Sequence, residues 1–223
     1  MIETNNIYNL DCIEGMKQMA DNSVQLVLTD IPYGELNNIQ ETKLRVMNKD
    51  DADIITFDIN AFLNEINRVC SGSFYIFCGF NQISTITGFA KERKMMTRVC
   101  CWKKKNPSPM MCQYFWLSDV EYCVAFKKPQ AVFNYFYKSS VWDFKAGERD
   151  IHPTQKNLEL FRYLMLASSN EGDTVLDPCS GSGTTAVAAI IEKRNYIGFE
   201  LNKEYYDKAV DRISNEKSQL TLF

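Results

Sequence analysis

The sequence predicts an α/β protein with a doubly wound, mostly parallel sheet of seven strands. Three observations indicate this class. Short apolar runs that suit strands alternate with segments of helical periodicity. Runs such as residues 24–28 are apolar almost throughout, as strands covered by helices on both faces require. The 223 residues, 45% of them hydrophobic, are enough for the core of one domain spanning 1–223.

Each predicted strand is a short run of apolar and β-branched residues that stops at a turn-forming or charged residue. The seven strands are predicted at residues 7–10, 24–29, 74–78, 99–102, 122–126, 174–176 and 195–199. Because helical segments separate most of them, we expect crossover connections and therefore mainly parallel pairing.

Helices are predicted where apolar residues recur every three or four positions. Phe62, Ile66 and Val69 mark one such helix. Others are predicted at 158–167, after Thr154 as a capping residue, at 184–193, and after Asn202, which is also suited to an N-cap.

Two segments interrupt the alternation. Residues 35–56 are polar and are predicted to form a mobile loop, whereas residues 127–151 are aromatic and basic. Long loops inside a compact domain are usually functional or mobile. The aromatic segment could also provide the face of a homodimer.

Composition argues against several classes of protein. No apolar run reaches about 18 residues, so no membrane association is expected, and the N-terminus lacks the pattern of a secretion signal. The eight cysteines form no C-x-x-C pair and there is one histidine, so no metal site is expected. Free thiols suit a reducing cytoplasm. The net charge of −3 argues against a simple cationic nucleic-acid binder, although local lysines such as 103–105 could neutralise phosphates or be solvated loop charge.

The first candidate site is a glycine turn. Residues 177–183, Asp-Pro-Cys-Ser-Gly-Ser-Gly, end one strand and open a helix, so a ligand can approach the backbone closely. Glu200 ends the next strand, where an acid can bind two ribose hydroxyls. The turn also fits a dinucleotide fingerprint, so a nicotinamide or flavin cofactor and a plain tight turn are alternatives. Asp177 would repel a pyrophosphate but suits a cation, which favours S-adenosylmethionine.

The second candidate site is Asp30-Ile-Pro-Tyr33, which directly follows a predicted strand. The Asp30 carboxylate and the backbone carbonyl of Ile31 could accept the two N–H groups of an aromatic amine, which would free its lone pair for attack on a methyl donor. Pro32 stiffens the turn, and Tyr33 offers a ring on which a base can stack. The alternative is a structural turn with Tyr33 in the core.

Together these motifs resemble the β-class, circularly permuted DNA amino-methyltransferases. In that family the catalytic motif comes first and the cofactor motif last, as here with Asp30 to Tyr33, then residues 152–156, His-Pro-Thr-Gln-Lys, then 177–183 and Glu200. The resemblance spans almost the whole chain and implies a Rossmann-like methyltransferase fold. It implies a catalytic domain with a small recognition insertion around 127–151, acting alone, in a phage, or in a restriction–modification pair.

The resemblance also implies roles for individual residues. Asp30, Ile31, Pro32 and Tyr33 would be catalytic. The cofactor would contact Asp11, Cys12, His152, Thr154, Lys156, Asp177, Pro178, Cys179, Ser180, Gly181, Gly183 and Glu200. DNA would contact Trp102, Lys103, Lys105 and Lys138. Structural alternatives stay open for several of these residues: a helix cap for Asp11, core packing for Trp102, and helix-start charges for Lys156 and Glu200.

Two positions depart from the family pattern. Ile31 replaces the usual second-position proline, which removes rigidity from the catalytic motif, and Asn157 replaces a proline after Lys156. The leading hypothesis is an S-adenosylmethionine-dependent DNA methyltransferase that acts on the N6 amine of a flipped adenine. The alternatives are a cytosine-N4 enzyme, an RNA or protein-amide methyltransferase, and a catalytically weak DNA-binding relative.

Overall fold

The computed structural model describes residues 2–33, 57–107, 116–146 and 156–220. Within these ranges one eight-stranded sheet is covered on both faces by α-helices, which confirms the doubly wound α/β class. The loop predicted at 35–56 and the residues 147–155, with His152 and Thr154, lie outside the described residues.

The sheet contains all seven predicted strands and one more. The strands are β1 (Asn6–Tyr8), β2 (Val24–Asp30), β3 (Cys70–Cys78), β4 (Met96–Lys104), β5 (Val120–Lys127), β6 (Val141–Phe144), β7 (Thr174–Asp177) and β8 (Asn195–Phe199). Their order is β1-β8-β7-β2-β3-β5-β4-β6. Every described pairing is parallel except those of β5, which runs antiparallel to both β3 and β4.

The additional strand β6 comes from the segment predicted to be a recognition insertion. Residues Val141 to Phe144 pair in parallel with Cys101 to Lys104 of β4, and the Trp142 side chain is buried. This strand was not predicted because exposed residues alternate with Trp142, so the segment lacks a continuous apolar run. An edge strand needs only one apolar face.

Helices cover the sheet in two layers. They are α1 (Cys12–Lys17), α2 (Ile59–Val69), α3 (Ile83–Glu92), α4 (Leu158–Ser168), α5 (Thr184–Ile191) and α6 (Lys203–Leu220). The layer with α1, α2 and α3 encloses one apolar cluster, and the layer with α4, α5 and α6 encloses the other. None of the helices in the described ranges has the length and apolar character needed to cross a membrane.

The caps explain where the predicted helices were right and wrong. Asn202 caps the start of α6 as predicted, since its Oδ1 accepts from the N–H of Glu204 and Tyr205. Helix α4 is capped by Asn157, whose Oδ1 accepts from Leu160 N, and not by Thr154 as predicted. Two helices were not predicted: α1, which has six residues, and α3, which contains a glycine and several β-branched residues that weaken helical propensity.

Strand register brings the two predicted motifs to one edge of the sheet. Val27 of β2 lies opposite Leu176 of β7, so Asp30 and Asp177 end neighbouring parallel strands. The carboxyl ends of β3 and β4 and the start of β5 lie at this same edge, because β5 is antiparallel to both. Ligands of open α/β sheets bind at this edge.

Close packing of β8 against the glycine turn requires a residue without a side chain at position 198. A Cβ atom on Gly198 would lie 2.2 Å from Ile7 Cγ2 and 2.2 Å from Ser180 Oγ. We therefore expect Gly198→Ala to lower the free energy of unfolding by about 1–3 kcal/mol, measured by urea denaturation. Gly88→Ala is the control, because a Cβ there meets nothing within 4 Å and should stabilise α3 by up to about 1 kcal/mol. Equal effects of the two substitutions would contradict this packing.

Candidate active site

A hydroxyl joins the ends of the two central strands. Thr29, which precedes Asp30 on β2, donates from Oγ1 to Asp177 Oδ1 at 2.8 Å. Thr185 in the first turn of α5 donates to Asp177 Oδ2 at 2.6 Å, and the N–H of Cys179 donates to Oδ1 at 3.2 Å. Burial raises the pKa of Asp177 to about 6, although these donors act to lower it. Asp177 therefore fastens the glycine turn to the strand that carries Asp30.

The glycine turn adopts a backbone conformation that favours glycine. Gly181 has a φ of 48° and Gly183 a φ of 73°, both in the left-handed region. The N–H of Gly181 donates to Glu200 Oε2 at 2.8 Å, and the N–H of Asn202 donates to Glu200 Oε1 at 2.8 Å. Burial raises the pKa of Glu200. The acid predicted for ribose binding thus lies directly at the turn.

A cluster of alternating charges surrounds Asp30. The Lys156 ammonium lies 2.9 Å from Asp30 Oδ2 and 2.6 Å from Glu121 Oε2. The hydroxyl of Tyr33 lies 3.0 Å from Asp30 Oδ1 and 3.2 Å from Glu121 Oε2, and Lys156 Nζ donates to it at 3.0 Å. Lys104 pairs with the other oxygen of Glu121 at 2.6 Å. Two carboxylates and two ammonium groups therefore balance each other.

Aromatic rings enclose the lysine at the centre of this cluster. The Lys156 ammonium lies 5.2 Å from the ring centre of Tyr33, 5.6 Å from that of Phe77 and 6.0 Å from that of Trp102. Only 7% of its side chain is exposed. Such a buried cation is stable only when it is paired, so the two carboxylates are what keep Lys156 in place.

The cluster shifts the pKa values of its two carboxyl groups in opposite directions. Burial raises the pKa of Asp30 to about 6, although Lys156 lowers it and Glu121 raises it further. Burial would also raise the pKa of Glu121, but Lys156 and Lys104 together lower it to about 2. Both carboxylates raise the pKa of Lys156 above its ordinary value, despite burial. Near neutral pH, Lys156 is charged and both acids are ionised.

Backbone hydrogen bonds hold the catalytic motif. The N–H of Ile31 donates to Phe77 O at 3.1 Å, which extends the ladder between β2 and β3 by one residue. Proline has no N–H and could not make this bond. Gln82 donates from Nε2 to Pro32 O at 2.9 Å and accepts at Oε1 from Gly79 N at 2.8 Å. The rigidity that Ile31 was expected to remove is therefore supplied by strand pairing.

Several predicted cofactor residues also have structural roles. Asp11 caps α1, since its Oδ1 accepts from the N–H of Ile13 and Glu14, which matches the alternative left open by the sequence. Pro178 and Ser180 are buried in the turn, and the neighbouring Cys12 thiol together with burial raises the pKa of the Cys179 thiol. Lys156, for which a contact with the cofactor carboxylate is predicted, pairs with Asp30 and Glu121.

The predicted DNA contacts fall into three environments. Trp102 is 1% exposed and donates from Nε1 to Phe144 O at 3.1 Å, so it takes the core position that the sequence left open. Lys103 and Lys105 are exposed at the carboxyl end of β4, at the same edge as Asp30. Lys138 precedes β6 and lies near Met96 and Arg98 at the opposite edge.

Glu121, Lys104 and Gln82 were missed by the sequence analysis. Glu121 offered a signal, because it is the one acid in the otherwise apolar run that forms β5. Lys104 belongs to the lysine run 103–105, for which only phosphate contacts or solvated charge were predicted. Gln82 lies in a short 3₁₀ turn (Phe80–Gln82) that no pattern predicted. Among the described residues, no group of three or more His, Cys, Asp or Glu side chains could hold a metal ion.

The chain is similar in sequence and structure to known proteins. The family model N6_N4_Mtase, described as DNA methylase, matches residues 24–211. The Type II methyltransferase M2.MboI of Moraxella bovis is 28% identical over 251 residues, covering 96% of this chain and 92% of that protein. The DNA adenine methyltransferase YhdJ of Escherichia coli (strain K12) is 46% identical over 79 residues, covering 33% of this chain and 27% of that protein. A crystal structure of an M1.HpyAVI–SAM complex is 30% identical with a TM-score of 0.70, covering 93% and 98% of the two chains.

The central ion pair generates a stability prediction. Lys156→Met leaves two largely buried carboxylates, 20% and 17% exposed, without their shared cation, so we expect the free energy of unfolding at pH 7 to fall by about 3 kcal/mol. The double variant Lys156→Met with Glu121→Gln should lose less than the sum of the two single losses. Urea denaturation of all variants measures this coupling. Lys203→Met, which disrupts an exposed pair with Asp207 and an exposed contact with the Tyr206 ring, is the control and should change little. Strict additivity would contradict the coupled cluster.

Proposed function

This chain belongs to the DNA methylase family N6_N4_Mtase, and from that premise we propose that it transfers a methyl group from S-adenosylmethionine to the exocyclic N6 amine of a flipped adenine in DNA. The observation that carries the proposal is the Asp30 carboxylate beside the Asp177 glycine turn, joined to it through Thr29. The relative named as a DNA adenine methyltransferase supports adenine as the target.

The proposed role of Asp30 is to accept hydrogen bonds from the target amine. The nitrogen lone pair of adenine is delocalised into the ring, and acceptors at both N–H groups favour a tetrahedral nitrogen with a localised lone pair. Asp30 Oδ1 or Oδ2 and the carbonyl of Ile31 are the proposed acceptors. Lys156 keeps Asp30 ionised near neutral pH, and the carboxylate can take the proton that the methylated amine releases.

The residues at the glycine turn fit a bound S-adenosylmethionine. Each oxygen of Glu200 accepts one described backbone N–H, and a carboxylate has capacity for further donors such as ribose hydroxyls. Gly181 lets a ligand approach the backbone, and Cys179 is partly exposed beside it. The cofactor supplies an electrophilic methyl group, and these residues would hold it facing Asp30. Asp11, Cys12, His152 and Thr154 are further proposed contacts.

The DNA would bind along the edge of the sheet that carries Asp30. Lys103 and Lys105 are exposed there and can pair with phosphates, while Tyr33 offers a ring beside the proposed base. We further propose β-class membership, which is supported by the chain order of the motifs, with Asp30 on the second strand and Asp177 on the seventh. We also propose that the protein forms a homodimer through the exposed aromatic residues Phe136 and Tyr137. The cytoplasm is the proposed location.

Nucleoside analysis tests the reaction and the base together. Duplex DNA incubated with the protein and S-adenosylmethionine should contain N6-methyladenine when its hydrolysate is examined by mass spectrometry. Asp30→Ala should lower the yield at least about 10²–10³-fold, because the main acceptor is lost, while calorimetry still detects cofactor binding. Asp211→Ala, at an exposed acid on α6, should behave like the parent. N4-methylcytosine as the product would select the alternative base, and full activity of Asp30→Ala would overturn the mechanism.

The raised pKa of Asp30 predicts an acidic limb in the pH profile. The ionised carboxylate is the acceptor, so kcat/KM should rise about tenfold per pH unit below about pH 6 and then level off. Glu121→Gln removes a negative charge that raises the pKa of Asp30, so its limb should move to lower pH. Asp143→Asn, at an exposed acid on β6, is the control and should leave the limb in place. If Glu121→Gln leaves the pH of the limb unchanged, the limb reports the titration of another group, such as Asp177.

A further inference from the structure

A cavity lies at the edge of the sheet opposite Asp30. It has a volume of about 340 Å³ and is lined by α4, by the sheet strands β3, β4 and β5, and by the segment that leads into β6. Ser73, which lines it, and Phe77, near the proposed active site, are four positions apart on β3. The rings of Phe77 and Trp142, 6.3 Å apart, fill the space between the two sites. A cavity of this size can hold a small organic molecule.

Aromatic side chains form the walls of this cavity. Tyr75 and Trp142 meet edge to face with ring centres 6.3 Å apart, and Tyr135 and Tyr163 lie 5.0 Å apart. Phe133, nearly half exposed, stands at the rim. Such rings favour a flat apolar body, because they offer both stacking and edge contacts.

Among the described residues that line the cavity, every charged side chain is positive. These are Arg98, Lys127 and Lys138. In the described part of the chain none of the three forms an ion pair: Arg98 donates to Thr97 O, Lys127 donates to Ala131 O, and the Lys138 ammonium lies 5.9 Å from the ring centre of Tyr135. Arg98 and Lys138 are exposed, so an anion at the mouth can reach both. Cations that no described carboxylate neutralises, beside an apolar slot, are complementary to an amphipathic anion.

We propose that this cavity binds a small aromatic anion, a planar ring that carries a carboxylate, sulfonate or phosphate group. The ring packs between the aromatic walls, and the anionic group lies at the mouth near Arg98 and Lys138. The site is distinct from the cluster around Asp30 and does not depend on methyl transfer.

Two dyes test the proposal on the full chain. 1-Anilinonaphthalene-8-sulfonate is an aromatic anion that fluoresces in apolar sites, and N-phenyl-1-naphthylamine is its uncharged counterpart. We expect Arg98→Gln to weaken binding of the sulfonate about fivefold, the scale of one partly exposed charge pair, and to leave the uncharged dye unaffected. Ala125→Trp, which fills the cavity from β5, should abolish the saturable site for both dyes.

The controls make each outcome decisive. Lys91→Gln removes the same charge from an exposed site on α3, which packs on the other face of the sheet, and should leave both titrations unchanged. If Arg98→Gln and Lys91→Gln weaken the sulfonate equally, or if neither does, the cavity does not select anions and the proposal is overturned. If Ala125→Trp folds and both dyes still saturate, they bind elsewhere. If it does not fold, the Arg98→Gln and Lys91→Gln comparison decides alone.

Discussion

Two partly buried carboxylates at the edge of the sheet share one buried ammonium group. Asp30 and Glu121 lie on different strands, and Lys156 comes from the start of α4, so the pairing requires three distant parts of the chain to meet. Removing water from these charges is costly, and only close pairing offsets that cost. The same contacts set the acid–base properties of Asp30, because its pKa reflects burial together with the opposing charges of Lys156 and Glu121. Fold stability and the proposed chemistry therefore depend on one cluster.

A second set of contacts, from neutral donors to carboxylates, ties the glycine turn to that cluster. Asp177 receives hydroxyl donors from Thr29 and Thr185, and Glu200 receives the N–H of Gly181. A shift in one strand would therefore be transmitted to the other, because each contact spans two elements. Precise relative placement of two reacting molecules is a large part of what an enzyme can contribute to a transfer reaction. The opposite edge carries a cavity with a different character, aromatic and positively charged.

Most of the fold could be predicted because its signals are local. Seven strands follow from apolar runs, and Asn202 was correctly identified as a helix cap from its residue type and position. Strand β6 was missed because an edge strand has one apolar face, and α3 because its glycine and β-branched residues weaken the helical signal. The cap of α4 was misplaced by three residues, since both Thr154 and Asn157 suit that role and local sequence does not rank them.

The α/β class, the two strand-end motifs and their order follow from local sequence, because strand patterns, glycine turns and terminal acids are encoded by neighbouring residues. Four features emerge only when distant segments meet: Lys156 pairs with Asp30, Glu121 and Lys104 complete the cluster, Trp102 is buried, and Lys138 lies away from Asp30. Pairing, burial and pKa depend on which side chains meet across the sheet. Strand order and register set those meetings, and neither can be read from any one segment.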